Sequence, residues 1–473
     1  MALVHDTLEL SPLERPLVLP CGAMLENRLA KSAMTEGLAA VDGHANPRHA
    51  ALYRQWSDGG AGLLITGNVM VDWRYLERPG NVVVSDAVLG VESGGEKGKG
   101  MNALERWAAA GTAGGNHLWV QINHPGRQCS RMSNAQPVAP SPVQLRLAGF
   151  FGRPRALTEG EILDIIERFA RAAVLVQRAG FTGVQIHAAH GYLASQFLSP
   201  RVNRRTDRWG GSLEHRARFL LDTVRVVRER VGPRFPVAVK LNSADFQQGG
   251  FALEDAARVA GWLAGEGIDL LEISGGTYEH LRFFTADDEA DEAEDRDGQP
   301  DNEAPRDARP GTPRQAAGTR AREAYFLDYA QTIRGEIDDV PLMVTGGFRS
   351  HRAMTDAVAQ GELDVVGIAR PLCVEPDLPR RLLEASAEEA PRWERSLRLA
   401  PGPLGPSSRL RSVRGFNHQA SVAWFYRQIL RLADGREPDT TLSARRALAR
   451  HFRDEFVHAL ARRRAGGPPT AAT

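Results

Sequence analysis

The chain has 473 residues, with 59 Lys plus Arg against 58 Asp plus Glu and a formal net charge of +1. That length holds one large domain with additions or two to three smaller ones, and the balanced charge supplies no overall field to attract nucleic acid or an anionic membrane. Cys21, Cys129 and Cys373 lie far apart and give neither a metal-ligand pair nor a disulfide framework, so reduced structural thiols are expected.

Met1 to Leu10 carries His5, Asp6 and Glu9 without an apolar core, unlike a secretory signal. No apolar run reaches bilayer length, and a cytoplasmic location is the expectation. From there to about residue 385, short runs rich in Val, Ile and Leu alternate with helical patterns. Eight such runs stand out: Arg28 to Thr35, Gly62 to Val69, His117 to Asn123, Gly183 to His187, Val237 to Asn242, Leu270 to Ser274, Leu342 to Thr345 and Val365 to Ala369. Eight parallel strands with crossover helices match an α/β fold, the (β/α)8 TIM barrel. An open doubly wound sheet is the alternative, but it needs a topological switch point and usually has fewer strands.

Helix signals agree. Thr158 and Glu161 predict a capping box, followed by Ile162, Ile165, Phe169, Ala172, Ala173 and Val176 on one face. Ser212 is the expected N-cap of the next helix.

Asp287 to Asp307 is dense in Asp and Glu and has no helical or strand period. It reads as a solvated loop within an insertion of about residues 284–312. Because it follows the sixth strand, it is either an inert acidic insertion or a lid over the substrate. Pro401 to Ser408 then separates the barrel from a tail in which Ser421 to Leu432 and Leu442 to Leu460 read as amphipathic helices. The second is rich in arginine, and the pair is expected to pack on the barrel or on a second subunit of a homo-oligomer. The division predicted is a barrel over residues 1–385, then a linker and helical C-terminal extension over 386–473.

His187-Ala188-Ala189-His190-Gly191-Tyr192 places two imidazoles and a phenol at the end of the fourth apolar run, where barrels of this kind carry their chemistry. No Cys pair, His-Glu-x-x-His pattern or nearby carboxylate at ligand spacing accompanies them, so no metal site is predicted. The pair suits donation to a carbonyl oxygen that gains negative charge, with Tyr192 as a proton source. Gln121, inside Val120-Gln121-Ile122, suits the edge of a heterocycle or a structural bond to backbone. Lys240, inside Val239-Lys240-Leu241, needs an anion, either a bound ligand or a structural ion pair. The last two strand ends, Thr345-Gly346-Gly347 and Ala369-Arg370, match the usual phosphate site of such barrels. No Gly-x-Gly-x-x-Gly unit follows a strand to make a separate dinucleotide site.

Together these segments resemble the old yellow enzyme family of FMN-dependent NAD(P)H:flavin oxidoreductases and ene-reductases, from about Val18 to Ala385. The sharpest match runs from His187 to Leu193 and continues through Gln196 to Pro200, Asn203, Arg205, Asp207 and Gly210 to Ser212. The resemblance implies FMN as cofactor, NAD(P)H as reductant and a small activated alkene as substrate. It implies that His187 and His190 hold the carbonyl of an α,β-unsaturated compound while Tyr192 protonates its α-carbon. It also implies flavin contacts from Ala33, Met34, Gly67 and Gln121, and from Lys240 in a place often held by arginine. Thr35 falls near the flavin O4, and Gly346, Gly347, Ala369 and Arg370 fall at the phosphate. A phosphate-binding lyase or isomerase using Lys240, or a flavin binder with another electron acceptor, is the competing reading of the same barrel.

Overall fold

The computed structural model describes residues 10–91, 98–145, 149–245, 249–274 and 329–465. The acidic segment expected at 284–312 lies outside the described residues.

Eight parallel strands close on themselves: β1 (Leu29–Lys31), β2 (Leu63–Ile65), β3 (His117–Asn123), β4 (Gly183–Ala188), β5 (Val237–Asn242), β6 (Leu270–Ser274), β7 (Leu342–Thr345) and β8 (Val365–Ile368). Each pairs with the next in sequence, and β8 pairs back to β1 through Gly367 against Ala30. All eight predicted runs are therefore strands of one (β/α)8 barrel. Helices α1 (Pro47–Ser57), α2 (Lys99–Gly111), α3 (Glu159–Arg178), α4 (Leu213–Val231), α5 (Leu253–Gly265) and α6 (His351–Ala359) run between strands on the outside.

The predicted caps form. Thr158 accepts from the Glu161 backbone N–H while the Glu161 side chain accepts from the Thr158 N–H, and Ser212 accepts from His215 N–H at the start of α4. Every residue predicted for the apolar face of α3 is buried.

Strand periodicity fills the barrel in layers. Ala30, Leu63, Ile65, Trp119, Ala238, Leu270, Met343 and Val365 form an apolar cluster with Leu19 and Leu25 from a short hairpin that plugs the amino end. Gly183 is required here: a Cβ on it would lie 2.5 Å from the Trp119 ring carbon Cδ1. Two residues further along, the inward positions turn polar: Gln121, Gln185, Lys240 and Glu272. All four are buried.

Beyond the barrel, α7 (Arg411–Ala433) and α8 (Ala444–Arg464) form the helical C-terminal extension. α7 begins ten residues before the predicted Ser421, because its first turns carry little apolar periodicity, whereas α8 begins two residues after the predicted Leu442 and runs on past Leu460 through the polar turn Ala461 to Arg464. The pair packs on the barrel's own wall: Gln55 Nε2 on α1 donates to the Leu432 carbonyl at 2.7 Å, and Arg78 pairs with Glu455. Among the described residues, no helix is long and apolar enough to cross a membrane.

Candidate active site

The carboxyl ends of the strands gather the predicted residues on one rim. His187 is the penultimate residue of β4 and is buried, and its Nδ1 accepts from the Ala189 N–H at 3.2 Å, which leaves the ring proton on Nε2. His190 sits at φ 58°, a left-handed conformation that histidine adopts more readily than most side chains. Its N–H donates to Asn242 Oδ1 at 3.0 Å and its Nε2 lies 2.8 Å from Ser274 Oγ, so the ends of β5 and β6 hold it. The two imidazoles meet edge to face at 5.1 Å, and the Tyr192 ring lies 4.8 Å from that of His187. Burial, with Lys240 nearby, pushes His190 down to about 3, and burial with His190 and Lys240 holds His187 well below the usual imidazole range. Both rings are neutral donors at neutral pH.

Tyr192 is tied to a carboxylate that sequence reasoning missed. Its hydroxyl donates to Glu77 Oε1 at 2.8 Å, and Asn68 Nδ2 donates to Glu77 Oε2 at 2.7 Å. Thr35 Oγ1 donates to Asn68 Oδ1 at 2.8 Å, which brings the predicted Thr35 into the same network as Tyr192. Glu77 and Asn68 lie in the loop after β2, where no local pattern marks them.

Lys240 and Gln121 are joined through two further residues. Lys240 Nζ meets Glu272 Oε1 at 2.7 Å, Gln185 Nε2 donates to Glu272 Oε2 at 2.7 Å, and Gln121 Nε2 donates to Gln185 Oε1 at 2.8 Å. The anion that Lys240 requires is thus supplied by the fold. Glu272 was legible on the same grounds as Lys240, as an ionisable residue inside the apolar run Leu270-Leu271-Glu272-Ile273.

Gly67 donates its N–H to Glu36 Oε1 at 2.9 Å, and a Cβ there would stand 2.4 Å from the Met34 carbonyl, so the loops after β1 and β2 pack backbone to backbone. Ala33 adjoins the barrel's apolar cluster, and Met34 Sδ lies 3.4 Å from Cys373 Sγ. At the other side of the rim, Gly346 and Gly347 have φ of 110° and 80°, which side-chain-bearing residues rarely adopt. Ala369 and Arg370 follow β8 directly. Arg370 lies 3.9 Å from Glu394, which also accepts from Arg349 Nη2 at 2.8 Å. Burial pushes the Glu394 carboxyl up, but Arg370 and Arg349 outweigh it and hold the group below the usual carboxylate range.

Residues 15–298 match the model of the NADH:flavin oxidoreductase / NADH oxidase family. The NADH-dependent flavin oxidoreductase iliE of Hypocrea jecorina is 38% identical over 385 residues, covering 78% of this chain and 88% of its own. This chain belongs to the old yellow enzyme family. Among solved structures, the old yellow enzyme homologue of Zymomonas mobilis shares the fold, with a TM-score of 0.61 and 24% identity over 80% of this chain and 93% of its own. A 2-naphthoyl-CoA reductase in complex with 2-naphthoyl-CoA gives a TM-score of 0.66 at 25% identity over 79% of this chain, which spans 52% of that reductase. The protein is accordingly an FMN-dependent NADH:flavin oxidoreductase. This settles against the phosphate-binding lyase or isomerase.

The residues at the rim fit FMN in kind. The barrel mouth offers a cation, amides and a hydroxyl from Lys240, Gln121 and Thr35 for a polar heterocycle edge. The positive-φ glycines beside Arg349 and Arg370 suit an anionic phosphate. Buried polar atoms at the ends of β3 and β5, Asn123 Oδ1 and Nδ2 and Asn242 Nδ2, have no protein partner among the described residues.

Proposed function

We propose that this old yellow enzyme family member reduces the activated C=C bond of α,β-unsaturated carbonyl compounds in a ping-pong sequence with NAD(P)H. Bound FMN would supply the hydride-transfer chemistry between the nucleotide and the second substrate. The observation that carries the reading is the pairing of two neutral imidazoles at 5.1 Å with the Tyr192 ring 4.8 Å from the first. Neutral N–H donors fixed before reaction are what a developing enolate oxygen requires, because they cost no reorganisation as charge builds. His187 and His190 bind the carbonyl oxygen, and Tyr192 delivers a proton to the α-carbon.

For the cofactor, Ala33, Met34, Thr35, Gly67, Gln121 and Lys240 would surround the isoalloxazine, with Lys240 already held by Glu272. Gly346, Gly347, Ala369 and Arg370 would take the phosphate. Residues 1–385 form the cofactor barrel and 386–473 the linker and extension, in a cytoplasmic protein able to form homo-oligomers. Nothing in the site calls for nucleic acid or a membrane.

Anaerobic stopped-flow spectroscopy tests the reading. NADPH or NADH should bleach the flavin band and 2-cyclohexenone should restore it. His187→Ala should slow the restoring step by roughly 100- to 1,000-fold, the effect of losing one such donor, and leave the bleaching step within a few-fold. His187 is the better target than His190, where alanine would add strain at positive φ. A reduced protein that the enone does not reoxidise would sink the proposal.

A further inference from the structure

We propose that Glu77, in the loop after β2, is a positioning residue that acts through Tyr192 and returns to it the proton spent on each substrate molecule. The inference rests on the proton-delivery role given to Tyr192 above.

Reducing a C=C bond consumes one hydride and one proton. A phenol that protonates the α-carbon is left as a tyrosinate and must be refilled before it acts again. Tyr192 is 3% exposed, so bulk water has little access to it. Asn68 and Glu77 both reach its hydroxyl, at 3.4 Å from Nδ2 and 2.8 Å from Oε1. An amide has no proton to give at neutral pH, whereas a carboxyl group takes one up and releases it. Glu77 is half-buried and stands between Tyr192 and solvent.

The same contact supplies a driving force. At rest Tyr192 donates to Glu77 Oε1. To react, the hydroxyl turns about its C–O bond toward the substrate. The O–H bond breaks, a C–H bond forms at the α-carbon, and the electron pair stays on the phenolate oxygen. Phenolate and carboxylate oxygens then face each other at hydrogen-bond distance, and two like charges so placed draw a proton from solvent. It lands on Glu77 and moves along the hydrogen bond to Tyr192, which restores the phenol and the carboxylate. One solvent proton enters for each substrate reduced.

Glu77 is held for this role. Asn68 Nδ2 donates to Oε2 at 2.7 Å, and Thr35 Oγ1 fixes that amide by donating to Asn68 Oδ1, which orients the carboxylate with Oε1 toward Tyr192. The next residue anchors the backbone: the Arg78 N–H donates to Asn81 Oδ1 at 2.8 Å, and its guanidinium pairs with Glu455 of α8.

The first reading is made on the resting, full-length FMN-loaded protein. The Tyr192 hydroxyl proton, identified in the NMR spectrum by its loss in Tyr192→Phe, is followed by saturation transfer from water. In Glu77→Gln it should exchange about 100-fold more slowly than in wild type, the lower end of what a positioned acid–base group contributes, and Glu77→Asp should restore most of the rate. Glutamine keeps the shape of the side chain and an acceptor for Asn68 but carries no proton, so a merely structural role leaves the exchange unmoved. In turnover with 2-cyclohexenone, Glu77→Gln should slow the steady state more than the first reoxidation, because Tyr192 starts out protonated. Formate should raise the steady rate of Glu77→Ala in proportion to its concentration, which keeps the test open if Glu77→Gln folds poorly. Wild-type exchange in Glu77→Gln, or no response of Glu77→Ala to formate, would overturn the proposal. Failure of the wild-type protein to react with the enone would overturn the function reading alone, since exchange is read without turnover.

Discussion

A lysine inside a barrel survives only with a partner, and the identity of that partner decides how the residue behaves. Lys240 and Glu272 lie on adjacent strands in direct register, both buried, with Gln185 completing the carboxylate's bonds. Removing one member of a buried pair strands the other's charge, at a typical cost of about 3–5 kcal/mol. Glu272→Ala should therefore lower stability by that amount in urea unfolding, whereas the double change Lys240→Met with Glu272→Leu should recover most of it. A Glu272→Ala protein within 1 kcal/mol of wild type would mean that the pair is solvated.

At the scale of elements, what was legible followed from periodicity and caps. Thr158→Ala removes the acceptor for the Glu161 N–H and should destabilise the fold by about 1 kcal/mol. Arg155, which pairs with Glu161 at the same helix start, adds a contact that the variant loosens, so thermal unfolding should register the loss and Thr158→Ser should reverse it. The eight strands were readable because a barrel strand is buried on both faces and appears as an uninterrupted apolar run. His187, His190 and Tyr192 were readable because they are adjacent in sequence at such a run's end. Glu77 and Asn68 were not: their place beside Tyr192 depends on two loops that meet only after the barrel closes. Lys240 was found but its partner was not, since pairing across strands depends on register, which a single run does not reveal.

At the scale of the whole molecule, burial of neutral histidine makes the fold sensitive to acid. His49 is fully buried and pushed down to about 3 by burial, and His124 is buried and pushed down to about 4 by burial against a partly compensating Asp72. In the unfolded chain each takes a proton near pH 6.5. Between those values the unfolded state binds more protons than the folded one, so stability falls as pH drops from about 6.5 toward 4. Carboxylates with depressed values, such as Glu161 at about 2, add their own losses only below about pH 4.5. Asp245, raised by burial, opposes the trend. The histidine contribution can be isolated at His49, the third residue of α1, whose Nδ1 accepts from the Asn46 N–H in a capping box. Glutamine serves that box equally well and does not titrate. The melting temperature of wild type should decline between pH 6.5 and 4.5, and His49→Gln should decline less steeply over the same interval. Parallel curves for the two proteins would show that His49 takes up no proton on unfolding and that its burial does not set the acid limit of the fold.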